Sequence, residues 1–269
     1  MLFRSAEITA ATVMALREET GLGMMACKKA LQEANGDVEI ARTELRKKGA
    51  LVQVAKAGRT TKEGLVAIKV SADRKTAAMV EVRCETDFCA RNDEFVGMVN
   101  AVLGLAYDAP AGAIEASAAM TARLQETLAK IGENMSYDRG VKMQAGKVGT
   151  YLHFNNKVGV MIAVEGEISD EVLMDICMHA AFADPMGVTP DDIPADVVAK
   201  EKEIAVAQAM ESGKPKDIAE KMVAGKIRKF LEERALVEQL IAREDKYGKK
   251  QVKELLGAAK ITAFARFAI

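Results

Sequence analysis

The apolar residues of this chain change period along its length, and no single element can satisfy both periods. Up to residue 56 the spacing is helical. From Leu65 it alternates: Leu65-Val66-Ala67-Ile68-Lys69-Val70 reads as a strand, Ser71 to Lys75 as a polar turn, and Thr76 to Cys84 as the returning strand. A helix follows from about Asp93 to Tyr107. The pattern recurs about 80 residues later. Gly149 to His153 is a strand, Phe154-Asn155-Asn156-Lys157 a turn and Val158 to Glu165 the second strand, with Ser169-Asp170 capping a helix to about Ala183. Two hairpin-plus-helix units, weak in residue identity, suggest an internal duplication.

Helical stretches surround these units. Ile8 to Thr20, Met24 to Asn35 and a third helix capped by Asp37 are cut by Gly21-Leu22-Gly23, Asn35-Gly36 and Gly49. Ile114 to Ile131 is helical between the two hairpins. From Ala195 to Leu231 two charge-rich helices break at Ser212-Gly213-Lys214-Pro215, so they must pack antiparallel over a narrow apolar seam, as a projecting arm would. The last segment gives a helix at Val252–Leu256 and a strand at Ile261–Phe267.

Charge restricts partners. Thirty-eight basic residues against 39 acidic ones leave a formal net charge of −1, without the basic excess that phosphate neutralisation favours. No apolar run reaches the roughly 20 residues of a membrane span. The start, Met1 to Ser5, lacks the apolar core of a signal peptide, so a cytoplasmic location is expected. Cys27, Cys84, Cys89 and Cys177 form no Cys-x-x-Cys pair, which speaks against zinc and for reduced, mostly buried thiols.

Catalytic motifs are scarce. Gly146-Lys147-Val148 and Gly213-Lys214-Pro215 both lack the hydroxyl residue of a phosphate-cradling loop. The two histidines, His153 and His179, are the natural bases for nucleophilic chemistry, and a structural role is the better reading of His179. One segment breaks its local rule: Cys84-Glu85-Thr86-Asp87-Phe88-Cys89-Ala90-Arg91-Asn92-Asp93 puts a phenylalanine where a turn favours polar residues. Residue physics favours Phe88 folding onto the core with Asp87 capping the next helix. The alternative is an exposed aromatic anchor and carboxylate offered to a partner.

Three blocks carry a resemblance. Val13 to Leu31, continued by Asn35-Gly36-Asp37 through Gly49, resembles the N-terminal signature of the elongation factor Ts family. Glu81 to Asn92 is similar to that family's core signature, and Ser212 to Val223 to its coiled-coil arm. The resemblance implies a three-helix bundle like ubiquitin-associated domains at 1–56. It also implies two related α+β core subdomains at 57–146 and 147–195 (completed by 232–250), a protruding antiparallel coiled coil at 196–231 and a C-terminal module at 251–269. It further implies a non-enzymatic nucleotide-exchange factor for the GTPase elongation factor Tu, with no cofactor, no metal and no direct nucleotide binding of its own. In the family an aspartate-phenylalanine pair wedges in near the partner's magnesium site. That role falls on Asp87 and Phe88, flanked by Thr86 and by Cys89, where the family usually has valine. His153 matches a further partner-contacting position. Val13, Met24 and Met25 belong to the bundle, itself a partner-contacting surface in the family, with a place in the bundle core as the equal alternative for each side chain. Two other readings compete: a helical adaptor, and an RNA-binding translation protein, the latter weakened by neutral charge and few aromatics.

Overall fold

The computed structural model describes residues 8–20, 22–45, 47, 59–211 and 215–269. Expectations for Met1 to Ser5, for the segment 48–58 and for the arm's turn at 212–214 lie outside these residues. Two compact units result, one holding the described residues up to Ala67 with Val80–Val141 and Ile269, the other Ile68–Met79 with Lys142–Ala268.

In the first unit the glycine and asparagine stops do what their conformational freedom allows. Helix α1 (Ala10–Thr20) and helix α2 (Met24–Glu33) are followed by a third, α3, over residues 38–45. Asn35 turns left-handed at φ 52° after α2, and Gly36 N–H reaches back to Leu31 O at 2.8 Å. This left-handed stop satisfies carbonyls that the helix end would leave unpaired. Asp37 Oδ1 then accepts from Ile40 N–H at 3.0 Å, the cap its side chain suggested. Val13, Leu16, Cys27, Leu31, Ala41 and Leu45 close the bundle's core.

A four-stranded sheet has the order β1-β2-β4-β3, with β1 Glu63–Val70, β2 Thr76–Cys84, β3 Gly112–Ala113 and β4 Met135–Gln144. Strand β2 is buried almost throughout, as a strand with neighbours on both sides must be. Its one carboxylate, Glu81, is fully buried, and it accepts from Arg83 Nε at 2.6 Å and Arg139 Nε at 2.8 Å. Two guanidinium partners offset the cost of burying that charge. After β2 come a one-turn helix α4 (Asp87–Ala90), then α5 (Asp93–Asp108) and α6 (Ala118–Ile131), the last two packed together.

The second unit carries the second hairpin. Strands β5 (Lys147–Leu152) and β6 (Val158–Glu165) pair antiparallel, Lys147 opposite Val164 and Leu152 opposite Gly159. The hairpin ends one residue earlier than expected. His153 stands in the turn, its N–H bonded to Val158 O at 2.8 Å. Helix α7 (Asp170–Ala183) starts at the Ser169 cap. Strand β7 (Lys260–Ala268) pairs antiparallel with β6, which puts β6 in the middle of the order β5-β6-β7.

The segment expected as a C-terminal module, 251–269, thus supplies a strand to this sheet. Val252, Leu256 and Ile261 share one apolar core with Val160, Ile162 and Leu173. In both sheets the strand beyond the hairpin lies next to its second strand, β4 beside β2 and β7 beside β6. That shared order supports the duplication more firmly than residue identity does.

Helices α8 (Ala195–Glu211) and α9 (Lys216–Arg234) pack along each other, and their seam buries only Ala205 and Ala209. After them in the chain come a single turn, α10 (Glu244–Tyr247), and the short helix α11 (Val252–Leu256). Burial pushes the Asp175 carboxyl up, but hydrogen bonds from Lys246 and Tyr247, at 2.5 and 2.7 Å, hold it below its ordinary value.

His179 is buried in the same unit. Its Nδ1 accepts Ala242 N–H at 3.1 Å, so Nε2 carries the proton to Gln239 Oε1 at 2.9 Å. Burial pushes this imidazole below its usual value, with the Gln239 bond opposing. The folded state therefore binds this proton less readily than the unfolded chain, whose imidazole titrates near 6.5. Its stabilising contribution is complete above about pH 6.5 and is lost as the pH falls below that value. Urea midpoints are expected to drop between about pH 7.5 and 5.5, and His179→Gln to flatten that dependence.

Candidate functional site

The end of β2 and the single turn of α4 form a short, tightly pinned tip. Thr86 is its pivot. The Thr86 hydroxyl donates to the Glu133 carboxylate at 2.9 and 3.0 Å, and Thr86 N–H reaches Oε2 of the same group at 3.2 Å. The same hydroxyl oxygen accepts Cys89 N–H at 3.2 Å and so caps α4. Beside it, Glu85 Oε1 accepts Asn134 N–H at 2.5 Å, and Asn134 Nδ2 donates to Arg59 O at 2.9 Å. The 133–134 segment, between α6 and β4, thus clamps residues 85 and 86. Bonds to a charged acceptor are among the stronger ones available to a backbone.

What this clamp presents is apolar. Phe88 is 80% exposed, although most large aromatics bury their area. Asp87 stands half-exposed beside it and pairs with Arg91 at 3.1 Å. The next helix is capped by Asn92, whose Oδ1 accepts Glu94 N–H at 2.9 Å, and not by Asp87. The packing reading of this loop therefore gives way. Phe88 does not fold onto the core, and Asp87 is free of the capping duty.

Other expected positions divide. Cys89, grouped with the tip as partner-facing, is buried, because the first turn of α4 directs it inward beside Cys84. Val13 is likewise buried in the bundle core, on the inner face of α1. Met24 and Met25 are exposed at the start of α2, Met25 the more so. In the second unit Tyr151 Oη and His153 Nδ1 are 2.9 Å apart, and the His153 ring meets Phe154 at 4.5 Å between centroids.

Three features of these surfaces carry little signal in sequence. Glu133, the anchor of Thr86, lies 47 residues away and carries no local mark. Phe154 is 88% exposed, and an aromatic inside Phe-Asn-Asn-Lys is the same oddity that singled out Phe88. Phe182 is also exposed and follows Met174 and Met178 at helical spacing on α7, a stripe that reads as core until the fold is known. Among the described residues no group of three histidine, cysteine or acidic side chains is placed to hold a metal ion. Nor is any helix there long and apolar enough to cross a membrane.

Known proteins share this sequence widely. A family model described as elongation factor TS matches residues 85–269. Elongation factor Ts of Pasteurella multocida is 46% identical over 268 residues, covering 98% of this chain and 92% of the relative. That of Hahella chejuensis is 45% identical over 241 residues, covering 89% and 84%. That of Clostridium botulinum is 38% identical over 279 residues, covering 97% and 92%.

Proposed function

The chain belongs to the elongation factor Ts family, and from that premise we propose that it accelerates GDP release from elongation factor Tu by binding, with no chemistry of its own. The observation that carries this reading is Phe88, held out to solvent on a turn whose backbone is fixed from below by Glu133. An apolar anchor on a preorganised support loses little freedom on docking, so most of its burial goes into affinity. Asp87, beside it, brings a carboxylate toward a site that holds a phosphate-bound cation.

Nucleotide in such a GTPase is held chiefly through phosphate and Mg²⁺, so a small displacement of those contacts costs much affinity. A tip that binds best to the displaced arrangement lowers nucleotide affinity by the factor by which nucleotide lowers its own. Met24 and Met25 on the bundle, the α8–α9 hairpin, and His153 with Phe154 add surfaces whose binding offsets the cost of the displacement. Val13 and Cys89 contribute by packing. In this reading residues 1–56 form the ubiquitin-associated-like module and 196–231 the arm.

The test loads elongation factor Tu with fluorescent GDP and adds the protein in catalytic amount. Faster fluorescence loss is expected, and an unchanged rate rejects the proposal. Glu133→Ala is expected to slow the accelerated release about fivefold, the equivalent of ~1 kcal/mol lost when Thr86 is unpinned. An equal rate in Glu133→Ala would mean that the clamp is irrelevant to the tip.

A further inference from the structure

We propose that Cys84 and Cys89 are an oxidisable pair that closes a reversible disulfide around the Asp87–Phe88 tip, so that hydrogen peroxide slows exchange. The functional half of this rests on the exchange reading above; the disulfide itself does not.

Both cysteines bond to one residue, Cys84 through its sulfur and Cys89 through its backbone. Cys84 Sγ donates to Thr86 O at 3.3 Å, and that carbonyl also accepts Ala90 N–H at 3.2 Å. Cys89 N–H bonds to Thr86 Oγ1 at 3.2 Å, and the two thiols hydrogen-bond to each other. Both are buried and neither is in a disulfide, while the four residues between them include the exposed Phe88. Cys27 in the bundle and Cys177 in α7 belong to other elements and act as internal controls.

In the closed tip the hydrogen bond with Cys84, burial and the Glu133 carboxylate all keep the Cys89 thiol protonated, so it reacts slowly. Cys89 lies beyond the clamped Thr86 in the single-turn helix α4, so fraying of that end exposes its thiol while Glu133 still holds Thr86. Opened to water, the thiol returns toward its ordinary value of about 8.5. Its thiolate attacks one peroxide oxygen, the O–O bond breaks, and the departing hydroxide takes up the thiol proton as water, leaving a sulfenic acid. Cys84 sulfur then attacks Cys89 sulfur; the S–S bond forms, the S–O bond breaks, and a second water leaves with the Cys84 proton. Two thiols and one peroxide thus give one disulfide and two waters, and a dithiol reductant reverses it.

A sulfur–sulfur bond of roughly 2.05 Å is much shorter than any thiol–thiol hydrogen bond. Closing it draws the first turn of α4 toward the end of β2 and carries Phe88 along. It also removes the S–H that Thr86 O accepts.

The full chain is treated with hydrogen peroxide, digested with trypsin and compared with untreated protein. Cleavage after Arg83 and Arg91 places both cysteines in one peptide, Cys84–Arg91, which is expected to lose two hydrogens. GDP release from elongation factor Tu is expected to slow about tenfold and to recover with dithiothreitol. Cys84→Ser, which keeps a donor to Thr86 O, and independently Cys89→Val, are each expected to show the same rate before and after peroxide. An intact dithiol after peroxide, or an oxidised protein that exchanges as fast as the reduced one, overturns the proposal. If reduced protein releases no GDP, the exchange reading fails alone. The pair is then judged on the mass loss and on slower deuterium uptake at Cys89 to Arg91, and absence of either rejects it.

Discussion

Phe88→Ala is expected to slow the accelerated release of GDP by about 30-fold or more while leaving the melting temperature unchanged. The size follows from what a central aromatic anchor contributes to an interface, about 2 kcal/mol or more on truncation. Stability is spared because an 80% exposed side chain contributes little burial to the folded state. The ratio of the two effects separates the readings. A variant that unfolds returns Phe88 to the core, and one that exchanges normally removes it from the interface. Asp87→Ala is expected to act in the same direction and less strongly, since its pair with Arg91 is exposed and worth little to the fold.

The second large effect is on stability. Gly64 sits in β1 at φ 149°, and a Cβ there would stand 2.2 Å from Val82 O and 2.7 Å from Arg83 Cα. Those atoms are backbone and cannot swing aside. Gly64→Ala is expected to cost about 3–5 kcal/mol, the sum of a strained backbone and an overpacked contact. Urea denaturation of the purified variant measures it. The residues it would displace lie just before Cys84, so exchange should also fall in whatever fraction remains folded. A loss of under about 1 kcal/mol would mean that β1 can slide along β2.

The two hairpins, their turns and the helix caps were legible because each rests on neighbours in sequence. Asp37, Ser169 and the Asn35-Gly36 stop needed only the three or four residues beside them. Strand β4 was missed because Met135-Ser136-Tyr137-Asp138-Arg139-Gly140 has too many polar residues to alternate cleanly. Arg139 belongs there as the partner of a buried Glu81, 58 residues away. The partner of the C-terminal strand was illegible for a related reason. Lys260–Ala268 reads as a strand, but nothing local says which strand it joins. In the tip, the odd phenylalanine was visible in sequence, whereas its exposure depended on Glu133 holding Thr86 from another loop.

Strand β6 has neighbours of very different arrival time. β5 is joined to it by a tight turn, while β7 lies roughly a hundred residues further along. During synthesis the most apolar strand of the second unit must therefore emerge with one edge unpaired, and stay so until the α8–α9 hairpin and α11 have been made. An unpaired apolar edge is a template for other chains. Truncation before Lys260 is accordingly expected to yield aggregates in place of a smaller soluble domain, with nascent chains stalled in that interval the ones most in need of chaperones.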